Sequence, residues 1–374
     1  MPRKFEYTTL AHRYTARFPL ITYVGTQVNF WILANILLVV IVHLYGRIIS
    51  EMHAIPMDGE LGTFVLVASI MGLVYGLGLG LTTYYLEQKV FRKLSSGKVL
   101  LYKTLISLGL LLLVLTFLRL VLFDVFISPM FNMAGVSFSD RSWDHLFQLF
   151  LIYYFFMTLV ISFINQVNKK YGPGVLVPLL LGRYRTPQEE ERIFMFMDLK
   201  SSTLTAERLG HLKYSAFIRD CFADINEVLY PFCAQVYQYV GDEIVITWPE
   251  TEGLRNSFCI RFYFAVKAKF DERASYYQSN YGLLPMFKAG LHMGKVTAVE
   301  IGEVKKDIAY HGDTLNTAAR IQSVCNQFQK DFLASEHLIN KVAAQSSLKT
   351  EHLGSVLLRG KAERVGIVSV LEVY

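Results

Sequence analysis

The sequence predicts two domains of different fold class, an all-α membrane domain with four transmembrane helices and then an α+β domain. Two observations lead to this prediction. Apolar residues make up 53% of the 374 residues, which is high for a soluble protein, and the long apolar runs all lie before about residue 167. From residue 192 onward, short strands alternate with amphipathic helices. We therefore predict a membrane domain at 1–166, a connector at 167–191 and a second domain at 192–374.

Four apolar runs in the first domain are each long enough to cross a bilayer core, which takes about 20 residues. One such run also fits a buried helix of a soluble protein, but four in succession with polar loops between them do not. We therefore predict transmembrane helices at roughly 27–46, 62–85, 102–126 and 146–166, and the lipid bilayer as a partner.

The loop charges predict the orientation of these helices. Lys and Arg are concentrated before the first run, between the second and third, and after the fourth, whereas the other two loops contain only Arg47 and Arg141 as basic residues. Both termini are therefore expected in the cytoplasm. The formal charge of +6 reflects these membrane-flanking residues, so it does not indicate a nucleic-acid-binding protein.

A few polar residues of the membrane domain each allow two interpretations. Arg119 and Asp124 in the third run are either functional intramembrane charges or interfacial residues near the outer rim. His43 and His145 are expected near the outer face, as a shared metal or haem site or as ordinary interfacial histidines.

The second domain begins with a predicted buried strand, "RIFMFMDL" at 192–199. Two helices reach about Tyr230, and the segments "AQVYQYV" and "EIVITW" form a hairpin. A helix at about 253–278 and two strands around Met293–Gly294 follow. A helix starting at Asp313, the strand "KDFLAS", another helix and strands at 353–360 and 365–373 complete the domain. The order strand–helix–strand–strand–helix–strand is ferredoxin-like.

Two carboxylates are expected to meet at one end of this sheet. Asp198 ends the first strand, and Asp242 follows Gly241 in the turn of the hairpin. Either residue alone fits an ordinary turn or cap, but two aspartates at the ends of neighbouring apolar strands favour a Mg²⁺ site completed by substrate phosphates. The turn from Leu199 to Thr203 leads into a helix, and the free N–H groups of Ser201, Ser202 and Thr203 there would bind a polyphosphate.

Asn316 and Arg320 lie four residues apart on one face of a predicted helix. Asn can orient a sugar or base by hydrogen bonds, and Arg can neutralise charge that develops on a phosphoryl group. This pair on its own also fits a solvated helix face.

Four segments, in this order and spacing, resemble the catalytic domain of class III nucleotide cyclases over about 190–374: "FMFMDLKSST", "YQYVGDEIVITW", "AGLHMGKVTAVEIG" and "HGDTLNTAARI". The resemblance implies a ferredoxin-like core that works as a head-to-tail homodimer with active sites at the interface. It implies Mg²⁺ or Mn²⁺, two per active site, held by Asp198, Asp242 and the backbone carbonyl of Leu199. Asn316 would position the ribose, and Arg320 would stabilise the transition-state phosphate.

The resemblance is weaker at the positions that choose the base. The residue four before the second metal aspartate is usually Lys in adenylate cyclases and Glu in guanylate cyclases, but here it is Gln238. The second base-reading position, seven residues before Asn316, is Ala309 rather than the common Asp or Thr. Gln can donate and accept hydrogen bonds, so it can satisfy either purine. Lys305 and Lys306 lie where basic residues would contact the β- and γ-phosphates, or in a solvated loop.

The leading hypothesis is an adenylate cyclase of a bacterial inner (plasma) membrane that converts ATP to 3′,5′-cyclic AMP and pyrophosphate. A guanylate cyclase acting on GTP is the closest alternative. A diguanylate cyclase is disfavoured because Val240 stands where a double-glycine turn would need Gly. A receptor whose cyclase-like domain only binds nucleotide is the non-enzyme alternative, and the intact Asp198, Asp242, Asn316 and Arg320 argue against it.

Overall fold

The computed structural model describes residues 14, 18–54, 60–89, 94–117, 140–171, 181–304, 306–343, 348–357 and 363–373. These residues divide into two compact units, Phe18–Tyr171 and the described part of Gly172–Tyr374. Arg119, Asp124, Lys305 and residues 172–180 of the predicted connector lie outside the described residues.

The first unit consists of long apolar helices, as predicted. Four helices of the described residues are long and apolar enough to cross a membrane. These helices extend beyond the predicted apolar runs because the flanking residues continue the helical backbone. Residues 118–126 of the third predicted span lie outside the described residues. The helices are α1 (Pro19–His53), α2 (Leu61–Lys89), α3 (Ser96–Phe117) and α4 (Asp140–Tyr171).

Glycines let α1 and α2 approach each other closely. A Cβ atom built on Gly76 would stand 2.7 Å from the Cα of Val28, and one on Gly72 would stand 2.6 Å from the Cα of Ile32. Small residues spaced four apart are typical of helix contacts in membranes, where packing rather than water exclusion stabilises association.

Side-chain hydrogen bonds also connect the helices of this unit. The Tyr75 hydroxyl donates to the Ser107 carbonyl at 2.7 Å, and the Tyr154 hydroxyl donates to Oδ1 of Asn35 at 2.7 Å. The rings of Tyr75 and Tyr154 both pack on Trp31, with centroid distances of 4.4 and 5.1 Å. These hydroxyls therefore have hydrogen-bond partners inside the unit.

The second unit is built on one sheet, and its first half has the predicted ferredoxin-like order. The described strands follow the order β2-β3-β1-β4-β6-β8-β7, with β5 paired to β4. Strand β1 lies between β3 and β4 and is antiparallel to both. The strands are β1 (Gln188–Leu199), β2 (Gln235–Val240), β3 (Glu243–Pro249), β4 (Phe287–Ile301), β5 (Asp307–His311), β6 (Phe332–Ser335), β7 (Leu348–Val356) and β8 (Val365–Val373).

The helices of this unit cover both faces of the sheet. They are α5 (Ser202–Leu209), α6 (His211–Leu229), α7 (Glu250–Leu254), α8 (Phe258–Glu272), α9 (Ala274–Tyr281), α10 (Asp313–Ser323) and α11 (Glu336–Ala343). Ile193 and Met195 of β1 belong to the main core with residues of α6 and α8, whereas Phe194 packs in a smaller cluster with Ala318 of α10. Alternate residues of β1 thus face opposite layers.

Two secondary-structure predictions are wrong. Instead of two strands around Met293–Gly294 there is the single strand β4, because Gly294 provides room for a neighbour rather than a turn. A Cβ on Gly294 would stand 2.7 Å from Oγ1 of Thr314. The single helix predicted at 253–278 is interrupted twice, first at Asn256 and Ser257, which have φ of 47° and 55°, and again between α8 and α9.

Two strand boundaries also differ from prediction. Strand β1 begins at Gln188 rather than at residue 192, and its additional residues Glu189–Glu191 pair with β4. Strand β7 begins at Leu348 rather than at residue 353.

Candidate active site

The sheet brings the two predicted metal-binding aspartates to one end. Asp198, the penultimate residue of β1, pairs directly with Glu243, the first residue of β3. Gly241 has φ of 62° in the turn between β2 and β3, and Asp242 follows it. Because Asp242 is the chain neighbour of the residue opposite Asp198, the two aspartates lie at the same end of the sheet, as the sequence predicts.

The surroundings of the Asp242 carboxylate bear on whether it could bind a cation. Its Oδ2 atom is buried and has no hydrogen-bond partner in the described part of the chain. A buried anionic oxygen without a donor is costly unless a cation balances it. Across the described residues, no three His, Cys, Asp or Glu side chains are grouped to hold a metal. The two carboxylates at one end of the sheet, one with an unpartnered buried oxygen, fit Mg²⁺ or Mn²⁺ completed by substrate phosphates.

Asp198 is held in place by two side-chain donors. Nε2 of Gln322 in α10 donates to Oδ2 of Asp198 at 3.1 Å, and Nζ of Lys288 in β4 lies 3.2 Å from the same oxygen. Lys288 stands opposite Asp198 in the β1–β4 pairing. The Asp198 carboxylate is thus oriented before any ligand binds.

Other ionisable groups near the aspartates respond to their charge. Burial, with the negative charges of Asp198 and Asp242, raises the pKa of Glu243 to about 7. Burial and the same two carboxylates raise the pKa of Tyr214 to about 12. The Tyr214 phenol is therefore protonated at neutral pH and can donate a hydrogen bond near Asp198 and Asp242.

The turn that is predicted to bind a polyphosphate lies directly after Asp198. The side chain of Leu199 is 3% exposed and belongs to the main core, so only its backbone faces the turn. Ser201 has φ of 52°, and α5 begins at the next residue. The first N–H groups of a helix have no intrahelical acceptor, and this holds for Ser202 and Thr203 here.

Gln238 lies on the same sheet face as Asp198. It pairs with Val245, which pairs in turn with Phe196, two residues before Asp198. Cross-strand partners point to the same face, as do residues two apart on a strand.

Ala309 is placed differently. It is buried and pairs with Val299, while the ring of the next residue, Tyr310, packs on Phe194 at a centroid distance of 5.5 Å. Strand alternation directs Ala309 to the opposite side from Tyr310, and so away from the face that carries Phe194 and Gln238.

Asn316 and Arg320 both lie on α10, as predicted. Asn316 is exposed and Arg320 is half-buried. Neither side chain makes a hydrogen bond or ion pair with Asp198 or Asp242 in the described residues. Lys306, the other basic candidate, pairs with Glu300 at 3.2 Å.

Sequence reasoning missed Lys288 and Gln322. A signal existed for Lys288, because a lysine in the apolar segment "PMFKAGL" is a charge inside a predicted strand, where a partner is expected. Gln322 gave no such signal, since a polar residue near a helix end is common and its contact with β1 is non-local.

Comparisons with known proteins agree on one family. The profile described as "Adenylate and Guanylate cyclase catalytic domain" matches residues 185–369. "Adenylate cyclase 2" of Rhizobium meliloti (strain 1021) is 34% identical over 240 residues, which cover 64% of this chain and 66% of that protein. This similarity extends beyond the residues that the family profile matches.

Two further similarities are more distant. "Adenylate cyclase" of Anabaena cylindrica is 24% identical over 185 residues, 47% of this chain and 36% of that protein. A solved structure of a bacterial light-regulated adenylyl cyclase has a TM-score of 0.49 at 18% identity, over 58% of this chain and 63% of that chain. The chain thus spans at most about two thirds of each of these relatives.

Proposed function

Because residues 185–369 belong to the class III adenylate and guanylate cyclase family, we propose that this chain is a membrane-anchored adenylate cyclase. It would convert ATP to 3′,5′-cyclic AMP and pyrophosphate. The observation that carries the proposal is the pairing of Asp198 with Glu243 beside Asp242, whose buried Oδ2 lacks a partner in the described residues. A carboxylate pair of this kind suits a metal–nucleotide complex.

Each candidate residue has a distinct task in this reaction. Asp198, Asp242 and the Leu199 carbonyl would hold Mg²⁺ or Mn²⁺, two ions per site. When bound, the metal would lower the pKa of the ribose 3′-hydroxyl and neutralise phosphate charge. The N–H groups at the start of α5 would bind the polyphosphate.

The remaining residues would act on the sugar, the α-phosphate and the base. Asn316 would orient the ribose so that its 3′-oxygen lies in line with the α-phosphorus. Arg320 would stabilise negative charge on the α-phosphate as pyrophosphate leaves. Gln238, and Ala309 through its backbone, would contact the purine, and Lys305 or Lys306 the terminal phosphates.

We infer that the working form is a homodimer. In the described residues, neither Asn316 nor Arg320 forms a hydrogen bond or ion pair with Asp198 or Asp242 of its own chain. Each site would take its aspartates from one protomer and Asn316 and Arg320 from the other. The four apolar helices would anchor this dimer in a bacterial inner membrane with both termini cytoplasmic.

Activity assays on the purified full chain test the proposal. With Mn²⁺ and ATP, cyclic AMP and pyrophosphate should form in equal amounts. GTP turnover above ATP turnover would favour the guanylate alternative, which Gln238 keeps open. ATP binding without any cyclic product would instead support the non-enzyme receptor.

Complementation tests the shared site. Asp198→Ala and Asn316→Ala should each be inactive alone. When the two are co-expressed, heterodimers keep one intact site, so about one quarter of wild-type activity should return if chains pair at random. No recovery would contradict a site built from two protomers.

A further inference from the structure

Both donors that hold Asp198 reach the same carboxylate oxygen. The Gln322 amide and the Lys288 ammonium lie 3.1 and 3.2 Å from Oδ2. In the described residues, Oδ1 receives neither a hydrogen bond nor an ion pair. The carboxylate is therefore fixed through one oxygen, and the other remains free for a cation.

The two donors differ in charge. Gln322 is neutral and 6% exposed, so it orients Asp198 without changing the net charge of the site. Lys288 adds a positive charge, and its side chain is only 15% exposed, so solvent screens that charge weakly.

An ammonium beside a metal ligand opposes a second cation. A divalent ion bound to Asp198 and the ammonium of Lys288 would share one carboxylate. Because they would lie close together, their like charges would repel each other. The phosphates of a bound nucleotide would offset this repulsion because they bring several negative charges into the same site.

We propose that Gln322 and Lys288 are positioning residues of Asp198 with opposite effects on metal affinity, so that the metal binds tightly only together with the nucleotide. Gln322 presents the free oxygen of the carboxylate, and Lys288 acts as an internal counter-ion that keeps the affinity for free divalent ions low. The inference rests on the proposed metal-dependent cyclase function.

Direct Mn²⁺ binding tests this inference without catalysis. The full chain in a non-ionic detergent, without nucleotide, is titrated with Mn²⁺, and the EPR signal of free Mn²⁺ gives the dissociation constant. Lys288→Met keeps the side-chain length and removes the charge, and should bind Mn²⁺ about tenfold more tightly, as expected for one nearby charge. Lys288→Arg is the matched control and should bind within about twofold of wild type.

Gln322→Met tests the opposite effect. Loss of a side chain that orients a metal ligand weakens metal binding by roughly tenfold or more, so this variant should bind Mn²⁺ less tightly than wild type. Thermal unfolding in EDTA verifies that each variant is folded, and Lys288→Gln replaces Lys288→Met if the latter is not. If the charge-removing variant binds Mn²⁺ no more tightly than wild type, the proposed role of Lys288 is wrong. If Gln322→Met binds Mn²⁺ as tightly as wild type, the proposed role of Gln322 is wrong.

The outcome separates this inference from the proposed function. If the chain makes cyclic nucleotide but the binding order of the variants is not as expected, only the inference fails. If the binding order holds and no cyclic product forms, the cyclase proposal fails while the roles of Lys288 and Gln322 stand. A third readout is the Mn²⁺ concentration that gives half-maximal activity at saturating ATP. Between wild type and Lys288→Met, this concentration should differ by a smaller factor than the Mn²⁺ dissociation constants measured without nucleotide.

Discussion

Gly290 of β4 lies directly against the backbone of Gln322 in α10. A Cβ atom on Gly290 would stand 2.2 Å from the Gln322 amide nitrogen and 2.6 Å from the carbonyl oxygen of Ala318. Both contacts are to helix backbone, which cannot rotate away as a side chain can. This contact places Gln322 within hydrogen-bond distance of Asp198, 124 residues earlier in the chain.

Gly290→Ala should therefore displace α10 and damage both stability and activity. Overpacking against backbone costs about 1–3 kcal/mol, and the Gln322–Asp198 hydrogen bond would be strained or lost. Chemical denaturation should show the destabilisation, and nucleotide turnover should fall further than the folded fraction. Gly282→Ala is the control, because its φ of 69° costs about 1 kcal/mol but its nearest neighbour is the flexible end of Arg208. Equal losses of activity in both variants would contradict the specific role of Gly290.

Asp242→Asn should remove activity without reducing stability. The buried Oδ2 has no partner in the described residues, and an unsatisfied buried polar atom costs about 1–3 kcal/mol. Replacing the charge by a neutral amide should therefore raise the free energy of unfolding in EDTA by about 1 kcal/mol. Turnover should fall at least 100-fold if this carboxylate binds the metal. A clear loss of stability would show that Asp242 has a structural partner.

The placement of the two aspartates was predictable because its signals are local. Apolar alternation marks β1 and β3, and Gly241 before Asp242 marks the turn between them, so the pairing of Asp198 beside the hairpin follows from the strand order. The role of Gly294 was not predictable. A glycine in a strand pattern fits a turn, a bulge or a close approach, and only the position of Thr314 decides among them.

Other features of the fold depend on non-local packing, and they were not predictable from the sequence either. The contact of Gln322 with Asp198 depends on how α10 lies on the sheet, which no local pattern encodes. The break at Asn256 and Ser257 carries neither Pro nor Gly at those two positions, so the helical pattern of "SFCIRFYFAVKAKF" obscured it.

The lowered pKa of Asp220 predicts how the stability of the fold depends on pH. Burial raises its pKa, but hydrogen bonds from Tyr281 and Tyr276 at 2.6 and 2.8 Å, together with Arg219, outweigh burial, so its pKa lies below the usual value. A lowered folded-state pKa stabilises the fold above the unfolded value of about 3.9. That stabilisation is lost as the pH falls through the folded-state pKa.

Asp220→Asn should therefore be less stable than wild type by about 1–2 kcal/mol at pH 7. The difference should shrink as the pH falls from about 4 towards the folded-state pKa, because the wild-type carboxyl becomes protonated first in the unfolded state and then in the folded state. Denaturant titrations of both proteins at several pH values measure it. A difference that stays constant down to pH 3 would assign the effect to shape rather than charge.

Gly76 should be essential for the packing of α1 against α2. Its missing side chain lets Val28 approach, since a Cβ there would stand 2.7 Å from the Val28 Cα. Gly76→Val should separate the helices and lower the thermal stability of the detergent-solubilised chain. Gly109→Ala in α3 is the control, because a Cβ at Gly109 meets nothing within 4 Å and alanine favours the helix by up to about 1 kcal/mol. If Gly76→Val melts like wild type, the close approach of α1 and α2 is not required for stability.

Gln238 should decide which purine nucleotide is used. Its side chain lies on the sheet face of Asp198 and has no hydrogen bond in the described residues, so its amide can turn to donate or accept. A lysine can only donate, which suits the N1 acceptor of adenine, whereas a glutamate accepts from the N1–H and N2–H groups of guanine. Gln238→Lys should therefore raise the ratio of kcat/KM for ATP over GTP by about tenfold, and Gln238→Glu should lower it similarly.

The same measurement separates base choice from catalysis. Neither substitution touches Asp198, Asp242, Asn316 or Arg320, so turnover of the preferred nucleotide should stay within about tenfold of wild type. Ala309→Ser is the companion variant at the other position. Since Ala309 is directed away from the face of Gln238, a serine there should leave the ATP/GTP ratio unchanged. A shift of that ratio in Ala309→Ser but not in the Gln238 variants would move base recognition to β5.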